Sequence, residues 1–145
     1  KEVVTRSSSS PAIWGWEFAN EMNLSCDLPN GMTFLGRKIP HLKVNVEKHE
    51  RNLMTYQIAG KAYRAFAEQV RNHDEHRFIT TGNSAPRSCS YHNATDGSWD
   101  PDDAEEAFEA FQWMNPEPID VVSVHFYGHT DRAPTYAGAS GTSPG

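Results

Sequence analysis

From Asn52 to His73 the apolar residues Leu53, Tyr56, Ile58, Ala59, Ala62, Tyr63, Phe66, Ala67 and Val70 recur at intervals of three and four. That spacing lays a single apolar stripe along an α-helix. The stretch "DPDDAEEAFEAFQWM" carries acids in its first turn and then Ala and Phe at helical spacing. It predicts a second helix beginning near Asp102 and stopping before Pro116. Three β-rich runs alternate with these helices: Ala12 to about Glu21, Arg77 to Ser84, and Ile119 to about Tyr127. Residues 1 to 6 read as the last turn of a helix, Ser7 to Pro11 as a linker, and Leu28 to Pro40 as a long loop. A polar loop follows the second strand through "SYHNATDGSWDP".

Strand, helix, strand, helix, strand is the order of an α/β protein with a parallel sheet and right-handed crossovers. The longer loops follow the strands, so the working face is expected at the strand C-termini. In the first run, Ile13, Gly15, Glu17, Ala19 and Glu21 share one face, while Trp14, Trp16 and Phe18 share the other. The large apolar face suits packing against helices, and Trp14, Trp16 and Trp113 are expected in the core. The small residues and carboxylates suit the interior of a barrel. The last run repeats the pattern, with Val122, Val124 and Phe126 on one face and Val121, Ser123, His125 and Tyr127 on the other. Polar groups gathered at the same end of two parallel strands imply a shared pocket.

Glu17 and Glu21 are separated by roughly 13 Å along an extended strand. Paired glycosidase carboxylates stand ~5 to 9.5 Å apart, so these two are not partners. Glu21, at the strand end, is the candidate for chemistry. Glu17 is expected deeper inside, as a structural acid that is hydrogen-bonded or protonated.

At 145 residues the chain has the size of one domain. A net charge of -6 with interspersed signs argues against nucleic acid, and no apolar run reaches membrane-spanning length. Cys26 and Cys89 are too few for a disulfide scaffold and match no metal motif; a pair and two free thiols are both open. The sequons at Asn23 and Asn93 carry no weight. His125 and His129, with Asp131 nearby, leave a strand for a glycine loop and are not spaced as a complete ligand set, so no metal or other cofactor is expected.

The run "PAIWGWEFANE", with Trp16-Glu17-Phe18-Ala19-Asn20-Glu21, resembles the fourth strand of the (β/α)8 glycoside hydrolases of clan A, most of all the family 5 endo-β-mannanases and cellulases. "DVVSVHFYGH" is similar to their sixth strand and "FITTGNS" to their fifth. The resemblance implies part of a TIM barrel and a retaining hydrolase of β-linked polysaccharide such as mannan or cellulose. It implies Glu21 as general acid/base, Asn20 as a sugar contact beside the cleaved bond, and His125 and Tyr127 as site residues. Strict alternation points Asn20 to the helix side, so that contact needs a twist or bulge. Trp99, in the loop after the second strand, is a candidate for stacking on a sugar.

The family's nucleophilic glutamate ends a seventh strand, which these residues do not contain. The chain is therefore expected to be the middle of a larger barrel, inactive alone, with the rest of the barrel as its partner. Secretion is favoured by analogy. The reading of a different class is a non-catalytic carbohydrate-binding or scaffold protein with a degenerate barrel.

Overall fold

The computed structural model describes residues 2–36 and 47–125, together with the backbone of two short strands at 38–39 and 44–45. Helix α1 (Glu2–Ser7) leads through turns into strand β1 (Gly15–Glu17). A short antiparallel pair follows, β2 (Lys38–Ile39) with β3 (Val44–Asn45). Then come helix α2 (Tyr56–Arg71), strand β4 (Phe78–Thr80), helix α3 (Ser90–Thr95) and helix α4 (Ala104–Met114). β1 and β4 pair in parallel, with Gly15 opposite Phe78, Trp16 opposite Ile79 and Glu17 opposite Thr80. Val121 joins the far side of β4 through a parallel bridge to Thr80. The protein is thus a mixed α/β structure in which α2 carries the chain between adjacent parallel strands.

The two longer helices are started by their own sequence. Thr55 caps α2, its hydroxyl accepting the Ile58 N–H at 3.2 Å. Asp103 caps α4 in a reciprocal box with Glu106, whose carboxylate accepts the Asp103 N–H at 2.8 Å. Most of the apolar stripe of α2 is turned inward as its periodicity predicts, but Ile58, counted in that stripe, is exposed. Tyr56, Ala59 and Tyr63 meet Ala110 and Met114 of α4, while Ala67 and Val70 meet Ile79 of β4 and Val4 of α1. Trp16 and Phe18 pack onto these clusters, and Trp113 joins the first.

Several expectations are corrected. Trp14 is 81% exposed, not in the core. Ile13 N–H closes a turn on Ser10, so strand alternation begins only at Gly15 and does not govern Trp14. Glu17 is exposed, since nothing among the described residues covers the face it shares with Gly15 and Phe78. The last predicted strand is reduced to the Val121 bridge, with Val122 to His125 outside any strand. The polar loop after β4 contains α3, and the long loop of residues 28–40 contains a 3₁₀ turn at Gly31–Thr33 and the strand β2. Phe126 and Tyr127 lie outside the described residues, as do His129 and Asp131.

An ionic knot fastens the N-terminal end of the sheet. Arg77 donates to the carbonyls of Ser8, Ser10 and Ile13 and to the Asp74 carboxylate at 2.8 Å. Asp74, almost fully buried, also accepts the Trp16 indole N–H at 2.9 Å and the backbone N–H groups of His76 and Arg77. Burial by itself would raise the Asp74 carboxyl, but hydrogen bonds from Trp16, Arg77 and His76 outweigh it and hold the group well below the usual carboxylate range. Arg71 adds a bond to Asp120, whose carboxylate also accepts the Ile79 N–H at 2.8 Å.

Asp74→Asn leaves Arg77 without its buried counter-charge and is expected to cost about 3 kcal/mol in urea unfolding. A depressed native pKa stabilises fully above the unfolded value of about 3.9 and loses that contribution as pH falls below it. Stability of the natural protein should therefore drop below about pH 4 more steeply than that of the Asn variant. Parallel acid limbs for the two proteins would contradict the role given to Asp74.

Candidate functional site

At the opposite end of the sheet the chain leaves β1 as a closely pinned corner. Phe18 and Ala19 continue the ladder, their N–H groups bonding the carbonyls of Thr80 and Thr81. Glu21 N–H then reaches the Gly82 carbonyl at 2.8 Å, and the chain turns into a 3₁₀ helix at Met22–Ser25. Glu21 makes that turn with φ of 53°, a left-handed conformation that costs a non-glycine residue about 1 kcal/mol. Strain of this kind persists only where neighbours over-determine it. Here Gly82, itself at φ +73°, lies so close that a Cβ on it would sit 1.7 Å from the Ala19 carbonyl oxygen.

Two buried asparagines complete the corner. Asn23 exchanges hydrogen bonds with the Ser84 backbone in both directions at 3.0 Å, tying the 3₁₀ turn to the chain beyond β4. Asn83 accepts from the Tyr63 hydroxyl at 2.9 Å and donates to the Met114 carbonyl at 2.8 Å, tying the same segment to α2 and α4. Burial pushes the Tyr63 hydroxyl up to about 12, against a smaller opposing effect of the Asn83 bond, so it stays a neutral donor. The Ser123 hydroxyl donates to the Asn83 carbonyl at 3.4 Å, which brings in the segment after Val121.

That framework delivers the central contact. His125 Nδ1 lies 3.0 Å from Glu21 Oε1 across a separation of 104 residues, with both side chains about one quarter exposed. A carboxyl and an imidazole so placed share a hydrogen bond at the rim of the sheet, in reach of solvent. Asn20 is exposed at the bend beside Glu21 and does not point into the helix layer. Trp99 is half-exposed, and no hydrogen bond or ring contact among the described residues joins it to the pair. Tyr127 falls outside the described residues.

Sequence reasoning did not single out Gly82, Asn23 or Asn83. Gly-Asn at 82–83 was legible only as the end of a strand, and Asn23 only as a sequon. Asn23 and Asn93 are both buried and hydrogen-bonded, so neither sequon offers its side chain for glycosylation in the folded chain. Cys26 and Cys89 are free and buried. Burial, with Asp27 adding to it, pushes the Cys26 thiol up to about 12, which leaves it unreactive.

One other group of ligand-type atoms stands among the described residues: His92, Asp102 and Glu106, within 4.8 Å of one another. Both Asp102 oxygens and Glu106 Oε2 are already engaged. Buried Asp102 accepts the backbone N–H groups of Tyr91 and His92 and lies 3.0 Å from His92 Nδ1, while Glu106 closes the α4 capping box. The Asp102 bond raises the His92 pKa, as expected for a clasp between two helix starts.

Compared with known proteins, the chain matches no family model and no curated protein.

Gly82→Ala should displace the Ala19 carbonyl and cost about 2 kcal/mol or more. It should also break the Glu21–His125 contact, seen as movement of the His125 ring resonances toward those of a Glu21→Gln variant. Unchanged His125 signals in Gly82→Ala would show that the corner does not position Glu21.

Proposed function

We propose that the protein is part of a (β/α)8 glycoside hydrolase that cleaves β-linked polysaccharide with retention, using Glu21 as general acid/base. The observation that carries this reading is the 3.0 Å contact between Glu21 Oε1 and His125 Nδ1. It joins the two stretches that resemble the fourth and sixth strands of such enzymes. Support also comes from the parallel pairing of β1 with β4 and from Val121 bridging to β4, which keeps these segments in chain order as a barrel requires. The exposed face of Gly15, Glu17 and Phe78 is what a barrel would enclose.

In the first step protonated Glu21 gives its proton to the glycosidic oxygen as the C1–O bond breaks, while a second carboxylate bonds to C1. Water then attacks C1, Glu21 takes its proton, and the second carboxylate leaves. The second carboxylate belongs to a strand of the barrel outside these residues. His125 holds the Glu21 carboxyl in place, and Asn20, at the adjacent bend, is positioned to meet the sugar. Tyr127 follows His125 in the same run and is assigned to the site by resemblance. Trp99 is a candidate sugar platform.

Glu21→Gln in the complete barrel should lower turnover of polysaccharide about 10²- to 10⁴-fold. It should spare bond cleavage in aryl glycosides with good leaving groups, read as a burst of released phenol. Equal loss on both substrates would remove Glu21 from the acid role. Absence of any glycosidase activity from the intact natural barrel would favour the binding-protein reading instead.

A further inference from the structure

A groove of ≈ 590 Å³ runs between α2, the end of α3 and α4, and shares no lining residue with the Glu21–His125 pair. Its floor is a stripe of α2, Gln57, Gly60 and Arg64, spaced three and four apart so that all three lie on one helix face. Its walls are Trp113, Thr95 and Asp27.

Gly60 is the informative residue. Inside a helix, glycine is the least stable choice short of proline and normally answers to a packing demand. Among the described residues there is no such demand: a Cβ would meet the Trp113 carbonyl oxygen at 3.8 Å and Arg64 Nη1 at 4.0 Å, both ordinary contacts. The stability given up leaves the floor of the groove open.

The polar groups around that opening have capacity to spare. The Gln57 amide and the Arg64 guanidinium take part in no hydrogen bond among the described residues. Asp27 is held in place by its N–H to the Met54 carbonyl and by Oδ2, which accepts the Tyr56 N–H at 2.7 Å; among the described residues Oδ1 takes no hydrogen bond. The Trp113 ring is fixed by stacking on Tyr91 at 5.5 Å and tilted contact with Tyr56 at 5.9 Å, giving the groove a rigid apolar wall.

These features narrow the occupant. Arg64 opposes a metal cation, Asp27 opposes a phosphate, and the polar Gln57, Arg64 and Asp27 side chains oppose a purely apolar ligand. A neutral polyol with one C–H face satisfies all of them, because planar amide, carboxylate and guanidinium groups bond vicinal hydroxyls while the apolar wall at Trp113 meets the C–H face. We propose that this groove is a saccharide-binding subsite for a unit of a β-linked oligosaccharide, separate from the Glu21 centre. The volume suits a ligand of disaccharide size. The choice of a β-linked sugar rests on the hydrolase reading, whereas the site itself does not.

The test is titration of the Glu21→Gln chain with cellobiose and with mannobiose, followed by NMR at the Trp113 indole N–H and the Gln57 side-chain amide. Saturable shifts with a Kd of roughly millimolar order are expected for at least one sugar. Arg64→Ala should weaken binding about ten-fold. Gly60→Ala should raise Tm by a few degrees while weakening binding, and Gly60→Leu should abolish it. The opposed effects of Gly60→Ala on stability and binding separate lost affinity from misfolding. No shift at either reporter up to ~50 mM sugar, about fifty times a millimolar Kd, would overturn the proposal. So would binding indifferent to Gly60→Ala and Arg64→Ala, or saturable shifts with free glutamine in place of the disaccharides. Sugar binding here in a protein whose complete barrel hydrolyses nothing would leave the subsite standing and remove the hydrolase. Hydrolysis without groove binding would do the reverse.

Discussion

Asp74 is the point on which the described structure turns. A carboxylate almost fully withdrawn from water is tolerable only with strong donors around it, and it has them in the Trp16 indole, the Arg77 guanidinium and two backbone N–H groups. Each donor comes from a different part of the fold problem. Trp16 fixes β1, the turn at 74–77 fixes the entry to β4, and Arg77 carries the connection onward to the carbonyls before β1. A parallel pair of three residues per strand has few ladder bonds of its own. The charged knot supplies the register that the ladder alone is too short to enforce.

Register at one end determines chemistry at the other. Once Trp16 lies opposite Ile79, the backbone of Ala19 meets Thr81 and the Glu21 N–H meets Gly82. The strain in Glu21 is offset by that bond and by Asn23 and Asn83, which replace the water these segments would otherwise need. A slip of one residue would turn Glu21 away from His125. The same parallel arrangement leaves the face of Gly15, Glu17 and Phe78 open, with Phe78, Val121, Val122 and Val124 exposed among the described residues. An apolar surface of this kind asks for a covering layer, and in the proposed hydrolase the remaining strands of the barrel provide it.

The helical layer has a separate logic. α2 presents three surfaces: the apolar stripe toward α4 and β4, a solvent face, and the Gln57–Gly60–Arg64 stripe between them. The first is needed for stability, and the third is less stable than it needs to be. A helix that keeps a glycine where alanine would fit carries information about something outside the fold.

Both long helices were legible in the amino-acid sequence, because a 3.6-residue apolar period and an acidic first turn act locally and need no partner to be recognised. The placement of Trp16 and Phe18 toward the helices followed from the two-residue alternation of a strand. The candidate acid Glu21 and its partner His125 were legible as residue types at strand ends. What alternation could not reveal is where a strand begins, so Trp14 was misplaced, or what covers its second face, so the surroundings of Glu17 were not legible. The left-handed turn at Glu21, the knot around Asp74, the buried Asn23 and Asn83, and the groove over Gly60 depend on groups dozens of residues apart. Local propensity encodes the elements; contacts over such distances exist only once the chain has closed on itself, so only the tertiary structure decides them.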